Sequence, residues 1–156
     1  FHNTYHIQES PKHLGINIGL YFNNELVMVS SFLNKGSHIE LVRLSSNIAI
    51  VGGASKIFKH FIKSYDFTEI ISFSDNRWGT GKLYETLGFV KAGVVPPMQY
   101  YVENYEKRYH KRSLSKNRLG ITNNLTEWET LQQLNYDRIW DCGKIKWAFK
   151  LNTFKL

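Results

Sequence analysis

The segment EIISFSDNRWGTGKLYETLGF, residues 69–89, holds the strongest structural signal in the chain. Its first seven residues carry Ile70, Ile71 and Phe73, β-branched and aromatic residues that are typical of a strand, and the polar run Ser74-Asp75-Asn76 marks the strand end. Small residues follow, and LYETLGF (83–89) then has the pattern of a short helix that Gly88 ends. The segment therefore predicts a strand, a polar strand end and a short helix.

Three more strand-like segments precede it: INIGLYF (16–22), LVMVSSFL (26–33) and IELVRLS (39–45). They are rich in β-branched and aromatic residues, which favour strands. Asn23-Asn24 separates the first two, and asparagine tolerates the positive φ angles of a two-residue hairpin turn. The three segments therefore predict an antiparallel meander.

A helix is predicted between the third strand and residues 69–75. In KIFKHFIKSY (56–65) the apolar side chains share one helical stripe, and three lysines lie on the other side. A strand–helix–strand order at this spacing is typical of a parallel crossover. We therefore expect an α/β fold with flanking helices, in which segments 39–45 and 69–75 are a parallel pair in a mixed, mainly antiparallel sheet.

The C-terminal part is interpreted as an extension of the same domain. We assign residues 1–106 to the core, 107–118 to a basic loop, and 119–156 to a helix and a β-hairpin that complete the domain. Thr126 and Glu129 have the spacing of a capping box, which predicts where the helix begins. The segments DRIWDCG and KIKWAFKL predict the closing hairpin.

The composition is typical of one globular domain that prefers anionic partners. The chain has 156 residues, of which 42% are hydrophobic, and twenty Lys and Arg against thirteen Asp and Glu give a net charge of +7. Such an excess favours nucleic acid, an acidic surface or a phosphorylated cofactor. No apolar run is long enough for a membrane span. Because Cys142 is the single cysteine, an internal disulfide and a cysteine-rich zinc site are excluded, and a reducing intracellular setting is expected.

The N-terminal sequence predicts that the chain is a piece of a longer protein. It starts with Phe1 and has no basic-then-apolar secretory pattern. His2 and His6 are four residues apart, with Tyr5 between them, a spacing that would place both histidines on one helix face. No third ligand accompanies them, so we expect no metal and interpret the pair as surface histidines or as the lining of a substrate cleft.

Two adjacent glycines precede the predicted helix in VGGAS, residues 51–55. Glycine lets a backbone approach a ligand closely, and the free N–H groups of a helix start attract an anion such as pyrophosphate. The alternative is a tight turn with close helix–sheet packing. The candidate ligand-binding residues are Gly52, Gly53, Ala54 and Ser55.

The order of these elements and the late motif LYETLGF (83–89) resemble the GNAT acyltransferase superfamily over about residues 14–104. The resemblance implies a GNAT-like fold that binds acyl-CoA, such as acetyl-CoA. The pyrophosphate of the cofactor would lie on residues 51–55, the glycine loop. The resemblance also implies that Tyr84 protonates the departing thiolate and that Asn76 contacts the cofactor. Ala49 stands where the family has an arginine or glutamine. A half-buried aromatic ring is the alternative role for Tyr84.

The same resemblance implies a general base on one of two strands. Glu40, on segment 39–45, and Asp75, at the end of segment 69–75, are the acids available for removing a proton from an attacking amine. A surface salt bridge is the alternative for Glu40.

A narrower resemblance points to a GNAT-like domain of phage-encoded proteins, both Mom-type DNA-modifying proteins and the C-terminal domains of homing-endonuclease-like proteins. YHIQ (5–8), SDNRW (74–78) and YDRIWDCG (136–143) carry it. It implies DNA as a partner, a nuclease domain upstream of Phe1, and a location inside a phage-infected bacterium.

The segment KRYHKRSLSKNR, residues 107–118, combines six basic residues and one tyrosine with no acidic residue. Such clusters bind DNA phosphates with little dependence on sequence, and the alternative is a solvated loop. The candidate nucleic-acid-binding residues are Lys107, Arg108, Tyr109, Lys111, Arg112, Lys116 and Arg118. We therefore expect acyl transfer from acyl-CoA to an amine, such as that of a DNA base, or else a non-catalytic DNA-binding module that targets a nuclease.

Overall fold

The computed structural model describes residues 1–13 and 15–151, and contacts divide the chain into two compact units. The first unit comprises Phe1–Ser74, Trp78–Val94 and residues 145–151. The second comprises Asp75–Arg77 and Val95–Lys144. The sequence predicts one domain for all of these segments, and contacts divide them between two compact units.

Nine strands lie in the described residues. They are β1 (Ile16–Phe22), β2 (Glu25–Asn34), β3 (Ile39–Ser46), β4 (Glu69–Asp75), β5 (Val90–Val95), β6 (Gln99–Glu103), β7 (Lys107–His110), β8 (Tyr136–Trp140) and β9 (Lys144–Lys150). Five α-helices accompany them in the same described part: α1 (His2–Tyr5), α2 (Gly53–Ser64), α3 (Lys82–Thr86), α4 (Lys116–Leu119) and α5 (Glu127–Gln133). A 3-10 helix spans Lys111–Leu114. No helix of the described chain has both the length and the hydrophobicity that crossing a bilayer requires.

The first unit is built on a six-stranded sheet in the order β1-β2-β3-β4-β9-β5. The predicted meander is confirmed, because β1, β2 and β3 pair antiparallel in sequence order. Asn23 and Asn24 form the first turn with φ angles of 49° and 64°, in the left-handed region that asparagine tolerates. The predicted α/β class, a mixed and mainly antiparallel sheet with flanking helices, is therefore confirmed.

The core of the first unit lies between the sheet and α2. The apolar stripe of this helix is buried, and Phe61 stacks on Phe32 of β2 with ring centroids 3.8 Å apart. β3 and β4, joined through α2, run parallel, and Ile39 and Glu40 pair with Ile70 and Ile71. The parallel crossover predicted for segments 39–45 and 69–75 is confirmed, because an amphipathic helix between two apolar strands packs back onto its own sheet.

The predicted closing hairpin is wrong. β9 lies between β4 and β5 in the six-stranded sheet, whereas β8 belongs to a separate three-stranded sheet. The side chains explain this placement, since Trp147 and Ala148 of β9 are both buried, although they point to opposite faces of the strand. A strand with buried residues on both faces gains more free energy in the centre of a sheet than at its edge.

The second unit is a three-stranded antiparallel sheet in the order β7-β6-β8, packed against α5. Its core is Tyr101, Leu114 and Leu131 with aromatic side chains around them. The predicted capping box is confirmed, because Thr126 accepts the Glu129 N–H at 3.2 Å and Glu129 accepts the Thr126 N–H at 2.7 Å. Residues 107–118, predicted as a basic loop, form β7, the 3-10 helix and the start of α4. Tyr109 and Leu114 pack into the core and order this segment.

Candidate functional site

The parallel pair β3–β4 opens into a fork. In the described residues the backbone pairing joins only Ile39 with Ile70 and Glu40 with Ile71, although β3 continues to Ser46 and β4 to Asp75. At the next position the Ser72 hydroxyl donates to the Leu41 carbonyl at 2.8 Å. This side-chain hydrogen bond joins the two strands where their backbone pairing has ended.

The hydroxyl of Tyr84 lies at this fork. It is 3.0 Å from the Ser72 hydroxyl and donates to the Phe73 carbonyl at 3.3 Å. Burial raises the pKa of Tyr84 above its ordinary value, although the hydrogen bond to Ser72 opposes the shift. The phenol is therefore protonated at neutral pH and has a proton to donate.

Trp147 and Gly81 hold Tyr84 in position. The Tyr84 and Trp147 rings stack with centroids 5.6 Å apart, and the Trp147 indole N–H donates to Ser74 at 2.9 Å. Gly81 precedes α3 with φ 84°, and a Cβ there would lie 2.2 Å from the Trp147 ring. Only glycine fits both this conformation and this contact.

The glycine loop presents an open helix start. Gly52 has φ 73°, and a Cβ on it would meet nothing within 4 Å. Gly53 packs instead against Met28, whose Cε lies 3.0 Å from an added Cβ. The Lys56 N–H is bonded to the Gly52 carbonyl, while the N–H groups of Ala54 and Ser55 have no partner among the described residues. Free donors, an exposed Lys56 and no acidic residue in the first turn suit an anion.

The two candidate bases differ in their surroundings. Glu40 is half-buried on the last paired rung of the fork and forms an ion pair with Lys35 at 3.4 Å. Asp75 is the last residue of β4, and one of its carboxylate oxygens accepts the Arg77 N–H at 2.9 Å. Among the described residues the second oxygen of Asp75 has no hydrogen-bond partner, so this carboxylate is the less committed of the two.

Asn76 is engaged within the second unit. Its backbone N–H donates to the Gly143 carbonyl at 3.1 Å, and its side-chain amide donates to the Cys142 carbonyl at 3.0 Å. Asn76 therefore has a structural role, because its two hydrogen bonds hold the backbone of residues 142–143.

The candidate nucleic-acid-binding residues divide into exposed and engaged groups. Lys111, Arg112 and Arg118 are exposed, and Arg108 lies over the Tyr100 ring at 4.5 Å. Lys107 lies 5.0 Å from the centre of the Tyr109 ring, while the Tyr109 hydroxyl donates to Glu103.

Lys116 differs from these residues. Its ammonium group donates to the carbonyls of Asn123 and Leu125, each at 2.7 Å. It holds the chain that leads to α5, so most of its hydrogen-bonding capacity serves the fold.

Sequence reasoning missed two residues that are prominent in the structure. Ser72 lies at the fork, and Arg138 lies between Trp128 and Trp140, with its guanidinium 4.5 Å and 5.0 Å from the two ring centres. The alternation of Ser72 and Ser74 with apolar residues could have indicated inward polar groups on β4. No comparable signal marks Arg138, because Trp128 and Trp140 come from different elements.

His2 is not a surface group, whereas His6 is half-buried. His2 is buried, and its ring nitrogens bond to the hydroxyls of Ser45 and, at 2.8 Å, Ser31. Burial lowers the pKa of both His2 and His6, and the charge of Arg43 lowers each further. In the described part of the chain, no three metal-binding side chains cluster together.

Comparison with known proteins gives no match to a family model and no match to a curated protein.

Proposed function

We propose that the chain is a DNA-acting, GNAT-like acyltransferase of phage type that transfers an acyl group from acyl-CoA to an amine, such as the exocyclic amine of a DNA base. The observation that carries the proposal is the fork between β3 and β4 with a protonated tyrosine at its apex. A fork of this kind leaves unpaired strand backbone facing a ligand, and Tyr84 supplies an acid at the same place.

The proposed reaction exchanges the C–S bond of the thioester for a C–N bond. The amine nitrogen attacks the thioester carbonyl, a C–N bond forms and the C–S bond breaks. Asp75 takes the proton that the amine loses, since Glu40 is already paired with Lys35. Tyr84 gives its proton to the departing sulfur and regains one from solvent, and Asp75 releases its proton to solvent, so that charge and protons balance over one turnover.

The glycine loop supports the choice of acyl donor. Ala54 and Ser55 offer two free backbone donors, and Lys56 adds a positive charge one residue further on. These groups fit a pyrophosphate. Acyl-CoA would supply the activated thioester, while the chain supplies the phosphate contacts, the acid and the base.

The exposed basic residues support DNA as the acceptor. Arg108, Lys111, Arg112 and Arg118 are exposed on the second unit. Phosphate contacts of this kind bind without strong sequence dependence and position the nucleic acid. A base within duplex DNA would have to be flipped out of the helix to react.

A second candidate function is a non-catalytic DNA-binding module that targets an attached nuclease. The observation that favours it is that the Tyr84 hydroxyl already has partners inside the protein, at Ser72 and Phe73. Exposed Ala49 also leaves the start of the glycine loop without the basic or amide side chain that a phosphate-binding loop would use. Such a module keeps residues 107–118, the basic segment, and needs no CoA.

Calorimetry and a transfer assay distinguish the two functions. Acetyl-CoA at about 100 times its dissociation constant should stabilise the fold by about 2.7 kcal/mol. Radiolabel should then move from acetyl-CoA to DNA, and Asp75→Asn should slow this transfer roughly 10²- to 10⁴-fold. Asp66→Asn, which changes an exposed acid elsewhere, is the control. DNA binding without acetyl-CoA binding or transfer would support the module instead.

A further inference from the structure

A pocket of about 450 Å³ lies at one end of the three-stranded sheet of the second unit. Three aromatic side chains line it: Tyr105 at the tip of the β6–β7 hairpin, Trp128 of α5 and Tyr136 at the start of β8. Tyr105 is 86% exposed, and its backbone is held in the left-handed region at φ 59°. The tight turn therefore places an exposed ring at the mouth of the pocket.

The remaining lining groups are polar and uncommitted. Asn104, Gln132 and Asn135 contribute side-chain amides, and Asp137 contributes a carboxylate. In the described part of the chain, none of these four side chains takes part in a hydrogen bond, and neither does the hydroxyl of Tyr105 or Tyr136. An amide both donates and accepts, and a carboxylate accepts from an amine.

This set of groups matches the chemistry of a nucleobase. A base is a flat ring that can stack on the exposed ring of Tyr105, and its edge carries donors and acceptors that asparagine and glutamine read in pairs. Trp128, whose ring already contacts Arg138 and Tyr101, forms part of the pocket wall. The volume lies within the range of small-ligand pockets. An aliphatic ligand would leave the amides without partners, and an anion would meet Asp137.

The basic segment begins beside the pocket. Lys107 follows Tyr105 by two residues on the same hairpin, and its ammonium lies 5.0 Å from the centre of the Tyr109 ring. A nucleotide whose base enters the pocket carries a phosphate next to that base. Lys107, the first residue of β7, would contact such a phosphate.

We propose that this pocket binds one unstacked base of a DNA strand whose backbone contacts the basic segment. The inference rests on the proposed binding of DNA but not on acyl transfer. It assigns to the second unit a base-binding site that is separate from the fork of the first unit.

Fluorescence titration with two decamers of equal charge tests the proposal. One is oligo(dA), and the other is the same deoxyribose phosphate backbone without bases. Wild-type protein should bind oligo(dA) more tightly, by roughly 5- to 100-fold if one base stacks. Tyr105→Ala and Gln132→Ala should reduce this preference, whereas binding of the abasic decamer stays unchanged. Tyr105→Phe, which keeps the ring, and Gln133→Ala, which removes a neighbouring exposed amide outside the pocket, are the matched controls.

The remaining outcomes show whether the base-binding proposal or the DNA-binding proposal fails. Equal affinity of the wild-type protein for both decamers overturns the pocket and leaves DNA binding intact. A second titration uses deoxyadenosine monophosphate alone. If neither decamer binds but the mononucleotide does, and Tyr105→Ala abolishes that binding, the pocket stands and DNA binding fails. If no probe binds, both ideas are wrong.

Discussion

The hydroxyl of Tyr84 lies 3.0 Å from the hydroxyl of Ser72, one position beyond the last backbone pair that joins β3 to β4. Ser72 in turn donates to the Leu41 carbonyl. The Ser72 hydroxyl thus joins β4 to β3 beyond their last backbone pair, and Tyr84 places a proton donor at the fork. Such an arrangement can serve stability, chemistry or both, and single substitutions distinguish these roles.

Tyr84→Phe should lower the rate of acyl transfer roughly 10²- to 10⁴-fold, because it removes the proton donor and keeps the ring that stacks on Trp147. Steady-state kinetics should show the loss in kcat, with the dissociation constant of acetyl-CoA unchanged. Ser72→Ala is the companion variant, since it removes the neighbouring hydroxyl without removing the acid. A rate for Tyr84→Phe within a factor of two of wild type would assign the tyrosine to packing alone.

Gly52→Ala should weaken acetyl-CoA binding, because an added methyl group projects from the glycine loop. It should also cost about 1 kcal/mol of unfolding free energy, since a φ of 73° strains alanine. Gly36→Ala is a matched control: Gly36 has φ 83° and equally open surroundings but lies in the β2–β3 turn. Urea unfolding should give similar losses for the two variants, while calorimetry should show weaker binding only for Gly52→Ala.

Gly81→Ala should destabilise the first unit by more than the strain of its backbone alone. The added Cβ would lie 2.2 Å from the Trp147 ring, so the ring that supports Tyr84 has to move. Gly120→Ala, with φ 66° and no atom within 4 Å of the new Cβ, carries the strain without the clash. A melting temperature equal to that of Gly120→Ala would contradict the packing of Trp147 described above.

The lysines and arginines of the basic segment should differ in role, because some contact DNA and others stabilise the fold. Arg112→Ala should reduce the slope of log affinity for duplex DNA against log salt by about 0.9, as expected for the loss of one phosphate contact. Lys116→Ala should change that slope less and should lower the melting temperature, because its ammonium holds the Asn123 and Leu125 carbonyls. Equal slopes for Arg112→Ala and wild type would place the DNA-binding surface elsewhere.

Stability should fall as the pH drops below about 6.5. Burial lowers the pKa of His2 in the folded state, so between that pKa and the ordinary value the unfolded chain binds a proton that the folded chain does not. The unfolding free energy therefore falls toward acid, by at most about 1.4 kcal/mol per pH unit for one such histidine. Urea unfolding from pH 7.5 to 5 should show this slope, and His2→Asn should flatten it. An unchanged slope would mean that His2 is not the group responsible.

Much of the first unit follows from sequence because its signals are local. Runs of β-branched and aromatic residues, the pair Asn23-Asn24 and the amphipathic α2 each act over a few positions, and they predict the meander and the parallel crossover. Gly52 likewise marks the helix start, since a left-handed residue favours glycine wherever it occurs. Each of these patterns depends only on the backbone conformation of the residues that form it.

The separation of β8 from β9, the fork at Ser72 and the stacking of Arg138 were decided only by tertiary structure. Strand order depends on which buried faces meet, and residues far apart in sequence contribute them: Ser74 contacts Trp147, and Trp128 contacts Arg138. Such contacts leave no periodic pattern, because burial and aromatic packing select partners by shape and area rather than by spacing. The sequence by itself thus determined the strands and turns of the first unit, while the tertiary contacts determined which side chains meet at each candidate site.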